Sequence, residues 1–197
     1  MTQMEDLKRG RFVPLALTLV RLALAPLMVA LSGRSHPLLF GLILAAALLS
    51  DIFDGVLARW LGVATPFLRR LDSAVDIVFY LGVGWALWRL RPEAVRAHLG
   101  LLAALIGLEL LHFLLARLKY GRKASYHLWS AKAWGLALFA GALALLSFDG
   151  SSAWFALMLW PGVIENLEGL AVTAILPAWT HDVPSFMHAQ RAKATLR

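Results

Sequence analysis

The chemistry of this chain is concentrated in one stretch, LSDIFDGVLARWLGVATPFLRRLDSAVDIV, residues 49–78. Asp51, Asp54, Asp72 and Asp76 stand there, four of the twelve acidic residues in the whole sequence. Set on a helix, Asp51, Asp54, Gly55, Ala58 and Arg59 fall within an arc of roughly 140°. Ile52, Phe53, Val56, Leu57 and Trp60 point the other way, suited to lipid or packing. LGVAT makes a turn, with Thr65 as N-cap and Pro66 in the first helical position. Asp72 and Asp76 are i and i+4, one above the other on the next helix. Antiparallel packing of the two helices brings four carboxylates together. Four negative charges in a partly dry site repel one another strongly. Hard divalent cations relieve that repulsion, and Mg²⁺ takes carboxylate oxygens together with substrate phosphates. Four independent surface acids reaching for water would explain any one aspartate. They do not explain two matched faces with Gly55 and Ala58 beside them.

The elements that hold these aspartates are membrane spans. Of the 197 residues 60% are hydrophobic and only 16% charged; soluble domains are about 45–50% apolar. The expected fold is all-α, a polytopic membrane protein of six transmembrane helices at about 12–32, 37–60, 67–90, 97–118, 128–147 and 153–178. The connections are short, so residues 1–197 read as one membrane-embedded domain. The N-terminal apolar run is long enough to span, carries Arg21 and is followed by further spans, so it reads as a retained helix rather than a cleaved signal. There is no cysteine, which removes disulfide and thiolate chemistry. The net charge of +7 suits anionic headgroups rather than nucleic acid, because the basic residues crowd the ends of the apolar runs.

Those basic residues give an orientation. Lys8, Arg9, Arg11, Arg59, Arg69, Arg70, Arg117, Lys119, Arg122, Lys123, Arg191, Lys193 and Arg197 fall on one side. Arg34, Arg89, Arg91 and Arg96 fall on the other. The richer side is expected in the cytoplasm, with both termini and all four aspartates. Arg21 is costly inside a span without a partner, and pairing within the bundle competes with substrate contact as its role. Arg122, Lys123, His127 and Lys132 are candidates for binding the phosphate of a small substrate, against a purely topological role for Arg122 and Lys123. Glu109 and His112, and Glu165, Asn166 and Glu168, read as bundle or dimer contacts.

The pattern Asp51-x2-Asp54-Gly55-x2-Ala58-Arg59, then Asp72-x3-Asp76, resembles the signature of the CDP-alcohol phosphatidyltransferases. One fixed residue departs: Leu68 stands where that signature has its second glycine. Thr18, Arg21 and Pro26 resemble a pattern frequent in the first span of the family, although Leu15 replaces an asparagine common there. The resemblance implies an enzyme of phospholipid biosynthesis at the cytoplasmic face of the inner membrane. It implies a metal-dependent transfer of a phosphatidyl group from CDP-diacylglycerol to a small polar alcohol, glycerol 3-phosphate or an inositol type, with release of CMP. It further implies that Asp51, Asp54, Asp72 and Asp76 surround a two-metal site for Mg²⁺ or Mn²⁺, with Asp76 as general base. Gly55, Ala58 and Arg59 would receive the CDP-lipid. The expected partners are these substrates, membrane lipids and a second copy of the chain in a homodimer.

Two other functions compete. A transporter would use intramembrane acids as an ion path, but it calls for acids near the midplane of several spans. An inactive relative is suggested by Leu68, whose side chain lies on the Asp72 and Asp76 stripe and fills space that glycine leaves open.

Overall fold

The computed structural model describes residues 2–63, 65–124, 126, 128–180 and 183–195, with side chains over the same residues except 2–11, 66, 69 and 192–195. Among the described residues the chain is helical, without strands: α1 (Thr2–Leu31), α2 (Pro37–Trp60), α3 (Pro66–Leu90), α4 (Pro92–Ala97), α5 (Leu99–Tyr120), α6 (Trp129–Ser147), α7 (Ala153–Ile175) and α8 (Phe186–Thr195). Six of these helices are long and apolar enough to cross a membrane. Their outward side chains are large and apolar, with Leu81 68% and Leu118 85% exposed, a surface that lipid covers and water does not. The chain is an integral membrane protein.

The expected spans hold within a few residues, with two corrections. The fourth begins at Leu99, because Pro92–Ala97 form a separate short helix before it, and it runs on to Tyr120. The sixth ends at Ile175 rather than near residue 178, where Pro177 follows and cannot continue a helix.

The contacts divide the chain into two compact units. Unit 1 comprises residues 1–92 and 142–150. On α1, residues Pro14, Thr18, Arg21, Ala25 and Met28 are buried, a spacing of four and three that keeps one stripe facing inward, and the buried Ser32 follows just past the helix end. Phe40, Ile43, Leu44, Ala47, Ser50, Asp54 and Ala58 form the matching stripe of α2. Val75, Phe79, Val83, Ala86 and Leu87 do so on α3. The α2–α3 turn is fixed at both ends. Gly62 has φ +65°; its N–H donates to Arg59 O at 3.2 Å, and the Val63 N–H donates to Ala58 O at 3.0 Å. Such a closure takes up the last carbonyls of a helix and favours glycine at the left-handed position. Thr65 then caps α3, its Oγ1 accepting the Leu68 N–H at 3.2 Å. At the other end of α3, Arg91 donates from Nε to Leu145 O at 2.8 Å and pairs with Asp149.

Unit 2 comprises residues 93–141 and 151–197. α7 packs against α5 and α8. Leu128, Val172, Leu176, Val183 and Ala189 form a buried apolar cluster there. Lys119 Nζ donates to Thr173 O and Ala174 O, both at 2.8 Å, taking up carbonyls that the end of α7 leaves without helical partners. Glycines let side chains approach closely: a Cβ on Gly162 would collide with the Trp134 ring, and one on Gly169 with the His112 ring.

Candidate active site

The site lies in unit 1 and is built from polar residues on and beside the three buried stripes. Thr18 and Arg21 come from α1, Ser50, Asp51 and Asp54 from α2, and Asp72 and Asp76 from α3. Because Thr18 meets Asp54 while Arg21 meets Ser50, α1 and α2 run antiparallel. α1 and α3 run parallel, since Arg21 meets Asp72 and Ala25 lies against Gly82.

Arg21 is at the centre and only 1% exposed. Its NH1 lies 3.1 Å from Asp51 Oδ1 and 3.0 Å from Asp72 Oδ1, and it also pairs with Asp76. Its NH2 donates to Asp54 Oδ2 at 2.6 Å, and Nε donates to Ser50 Oγ at 3.4 Å. Ser50 in turn donates to Ala47 O at 2.8 Å. Thr18 Oγ1 stands 3.1 Å from Pro14 O and 3.3 Å from Asp54 Oδ2, so its single proton serves either. A cation at the centre of a span costs about 2.5–3.5 kcal/mol on insertion scales; here the carboxylates it meets offset that cost. The rigid guanidinium fork suits the task, since it presents several donors at fixed angles.

The four aspartates are not equivalent. Asp51, Asp72 and Asp76 each bring an oxygen to within 4.8 Å of the other two and remain partly open, with side chains 46%, 32% and 38% exposed. Three carboxylates so placed could bind a metal ion; an all-oxygen donor set fits a hard divalent cation. Asp54 lies outside that triad, buried against Arg21 and Thr18. The α2–α3 hairpin therefore does bring the carboxylates together, three in a group and one behind it.

Gly55 and Ala58 lie on the same helix face, Ala58 buried. A Cβ on Gly55 would stand 3.4 Å from Arg59 NH1, so the Arg59 side chain runs back over the glycine. Among the described residues Arg59 pairs with none of the four aspartates; Arg21 does. Ile52, Phe53, Val56 and Trp60 are exposed, as their outward positions require. Leu68 is half-buried at the start of α3.

The remaining basic candidates belong to unit 2 and occupy separate settings. Arg122 stacks over Trp179, 5.0 Å from the ring centroid. Lys132 lies over Trp129 at 4.6 Å, in the first turn of α6 and inside the fifth span. Lys123 borders a cavity of about 220 Å³ with Glu109, His112, Tyr126, Trp134 and Glu165. His127 lies outside the described residues, as do His181 and Arg197. Glu168 accepts from Ser130 Oγ at 2.6 Å and from the Phe186 N–H at 3.0 Å, and Asn166 donates to Gly162 O at 3.0 Å. These two make bundle contacts.

The sequence left the partner of Arg21 open. The signal was present in the spacing of Thr18 and Arg21 with Pro14, Ala25 and Met28, which puts both polar residues on the inward stripe.

Fold and site together define a polytopic membrane protein with a carboxylate cluster set into a three-helix bundle. Residues 11–165 match the family model described as CDP-alcohol phosphatidyltransferase. That match covers most of the chain and runs through both units, so the chain belongs to the CDP-alcohol phosphatidyltransferase family. No curated protein and no solved structure matched it. Membership assigns the chain to enzymes of phosphatidyl transfer, with a CDP-alcohol and an alcohol acceptor as substrates and membrane lipids as surroundings.

Proposed function

We propose that residues 1–197 act as one membrane-embedded domain that transfers a phosphatidyl group from CDP-diacylglycerol to the hydroxyl of a small polar alcohol, as a step of phospholipid biosynthesis. The observation that carries this reading is the convergence of Asp51, Asp54, Asp72 and Asp76, the acidic residues of the family pattern, around one guanidinium. Asp51, Asp72 and Asp76 would hold a divalent ion, and Asp54 behind them would be the further carboxylate of a two-metal Mg²⁺ or Mn²⁺ site. Divalent ions there would neutralise the diphosphate and the charge that develops on attacking and leaving oxygens. Gly55 and Ala58 keep the face of α2 low, so that the cytidine diphosphate can lie against it, and Arg59 pairs with phosphate.

Asp76 acts as the general base. Its carboxylate takes the proton of the acceptor hydroxyl. The freed oxygen forms a bond to the phosphorus that carries the diacylglycerol, and the bond from that phosphorus to the CMP oxygen breaks. CMP leaves with the electron pair. Holding both substrates against a wall of fixed charges turns a bimolecular encounter into a positioned one.

Arg122, Lys123, His127 and Lys132, four basic groups within eleven residues, are the candidates for an acceptor phosphate, which favours glycerol 3-phosphate or an inositol type acceptor. The excess of basic residues on one side supports a cytoplasmic active site and cytoplasmic termini in the inner membrane. A homodimer is the proposed assembly. The test uses purified full-length chain in lipid nanodiscs with CDP-diacylglycerol, Mg²⁺ or Mn²⁺ and a panel of alcohols. Acceptor-dependent release of CMP supports the reading; its absence with every acceptor and both ions overturns it.

A further inference from the structure

Arg21 touches every carboxylate of the cluster, and the way it does so goes beyond neutralising a buried charge. NH1 alone meets Asp51, Asp72 and Asp76, the same three residues whose oxygens lie within 4.8 Å of one another. A divalent ion held by those three carboxylates needs their oxygens at about 2.0–2.1 Å. The guanidinium nitrogen and the ion therefore compete for one set of ligands. Two like charges that near to each other also repel. Arg21 has a second anchorage that is separate from the triad, namely NH2 on Asp54 at 2.6 Å and Nε near Ser50 Oγ at 3.4 Å. The fork can release NH1 and still keep a buried partner.

We propose that Arg21 is an internal counter-cation that a divalent ion must displace from Asp51, Asp72 and Asp76. It holds the cluster together and, by competing, lowers the affinity of the site for metal. This rests on the reading that the aspartates bind a divalent ion. As a positioning residue it acts through the carboxylates and needs no contact with substrate. A purely structural role predicts the opposite sign: an arginine that merely aligned the ligands would raise metal affinity.

The two signs are separated by binding rather than turnover. Full-length protein in nanodiscs, without CDP-lipid, is titrated with Mn²⁺ and the free ion read by electron paramagnetic resonance. Thermal unfolding is followed in chelator and in Mn²⁺. Arg21→Gln should bind Mn²⁺ at least about tenfold more tightly than the wild type. In chelator it should melt roughly 5–10 °C lower, because four carboxylates lose their shared partner. Added Mn²⁺ should raise its melting temperature by more than it raises that of the wild type. Arg21→Lys keeps the charge, but a point-like ammonium cannot bridge the triad and Asp54 together. It should fall between the two in affinity, and it carries the test if the glutamine variant does not fold. Mn²⁺ affinity unchanged or weakened in both variants, with the wild type binding normally, overturns the inference. If neither wild type nor variants bind Mn²⁺, the metal reading itself fails and the inference with it.

Discussion

A Cβ on Gly82 would stand 3.0 Å from the carbonyl oxygen of Ala25. That contact fixes how closely α1 approaches α3. Ala25 is one turn beyond Arg21, and Gly82 is less than two turns beyond Asp76, so the glycine controls the distance between the guanidinium and its carboxylates. Backbone does not yield as a flexible side-chain end does. Gly82→Val should push the helices apart by several tenths of an ångström or more, and a misplacement approaching 1 Å can cost roughly 100-fold in rate. We expect CMP release to drop by about one to two orders of magnitude while the protein still inserts and purifies. An active Gly82→Val enzyme would show that the spacing is not critical.

The unequal aspartates should separate in binding and turnover. Asp72→Asn removes a member of the triad and should weaken Mn²⁺ binding at least about tenfold. Asp76→Asn also removes a triad member and should weaken Mn²⁺ binding likewise, but even at saturating Mn²⁺ it should lose turnover by roughly 100- to 10,000-fold, the contribution usual for a general base. Undiminished turnover in the Asp76 variant rules out its role as base. Chelator should abolish activity of the parent, and Mg²⁺ or Mn²⁺ should restore it.

Leu68 donates its N–H to the Thr65 cap, and that bond survives a change of side chain. Leu68→Gly therefore leaves the cap intact, opens a gap on the half-buried stripe and removes helix propensity at a cost of about 1 kcal/mol. The expected result is a lower melting temperature and turnover no faster than the parent. A clear gain in activity would instead mark the leucine as an obstruction and the present site as degenerate.

Unit 2 offers a test of packing away from the aspartates. A Cβ at Gly162 would collide with the ring of Trp134, whose buried Nε1 has no hydrogen-bond partner among the described residues. Gly162→Ala should destabilise the protein by about 1–3 kcal/mol, the usual cost of overpacking. Denaturation in mild detergent measures it. An unchanged midpoint would mean that the indole turns aside freely.

Topology can be read directly. On the proposed orientation, drawn from six spans and the distribution of Arg and Lys, reporter fusions at the N-terminus and after Arg197 should both report cytoplasm. One fusion on the opposite side would mean that one of the six apolar helices does not cross.

The sequence alone determined the class of fold, six apolar runs too long for a soluble core, because backbone groups in lipid must be satisfied within each helix. It also determined the α2–α3 hairpin. Thr65 and Pro66 start a helix by local chemistry, and Asp51, Asp54, Asp72 and Asp76 share faces by helical period alone. The family pattern was legible for the same reason, being short-range in sequence. What only the tertiary structure decided was the relation of these residues to α1. Arg21 lies 51 residues from Asp72 and 55 from Asp76, and no local rule fixes which helix an inward arginine will meet. The close crossing at Ala25 and Gly82 settles that choice. It also divides the aspartates into an open triad and the buried Asp54, a distinction that four identical side chains on two matched faces do not carry. Burial and pairing depend on how stripes from three helices interlock, and the spacing within any one helix leaves that undetermined.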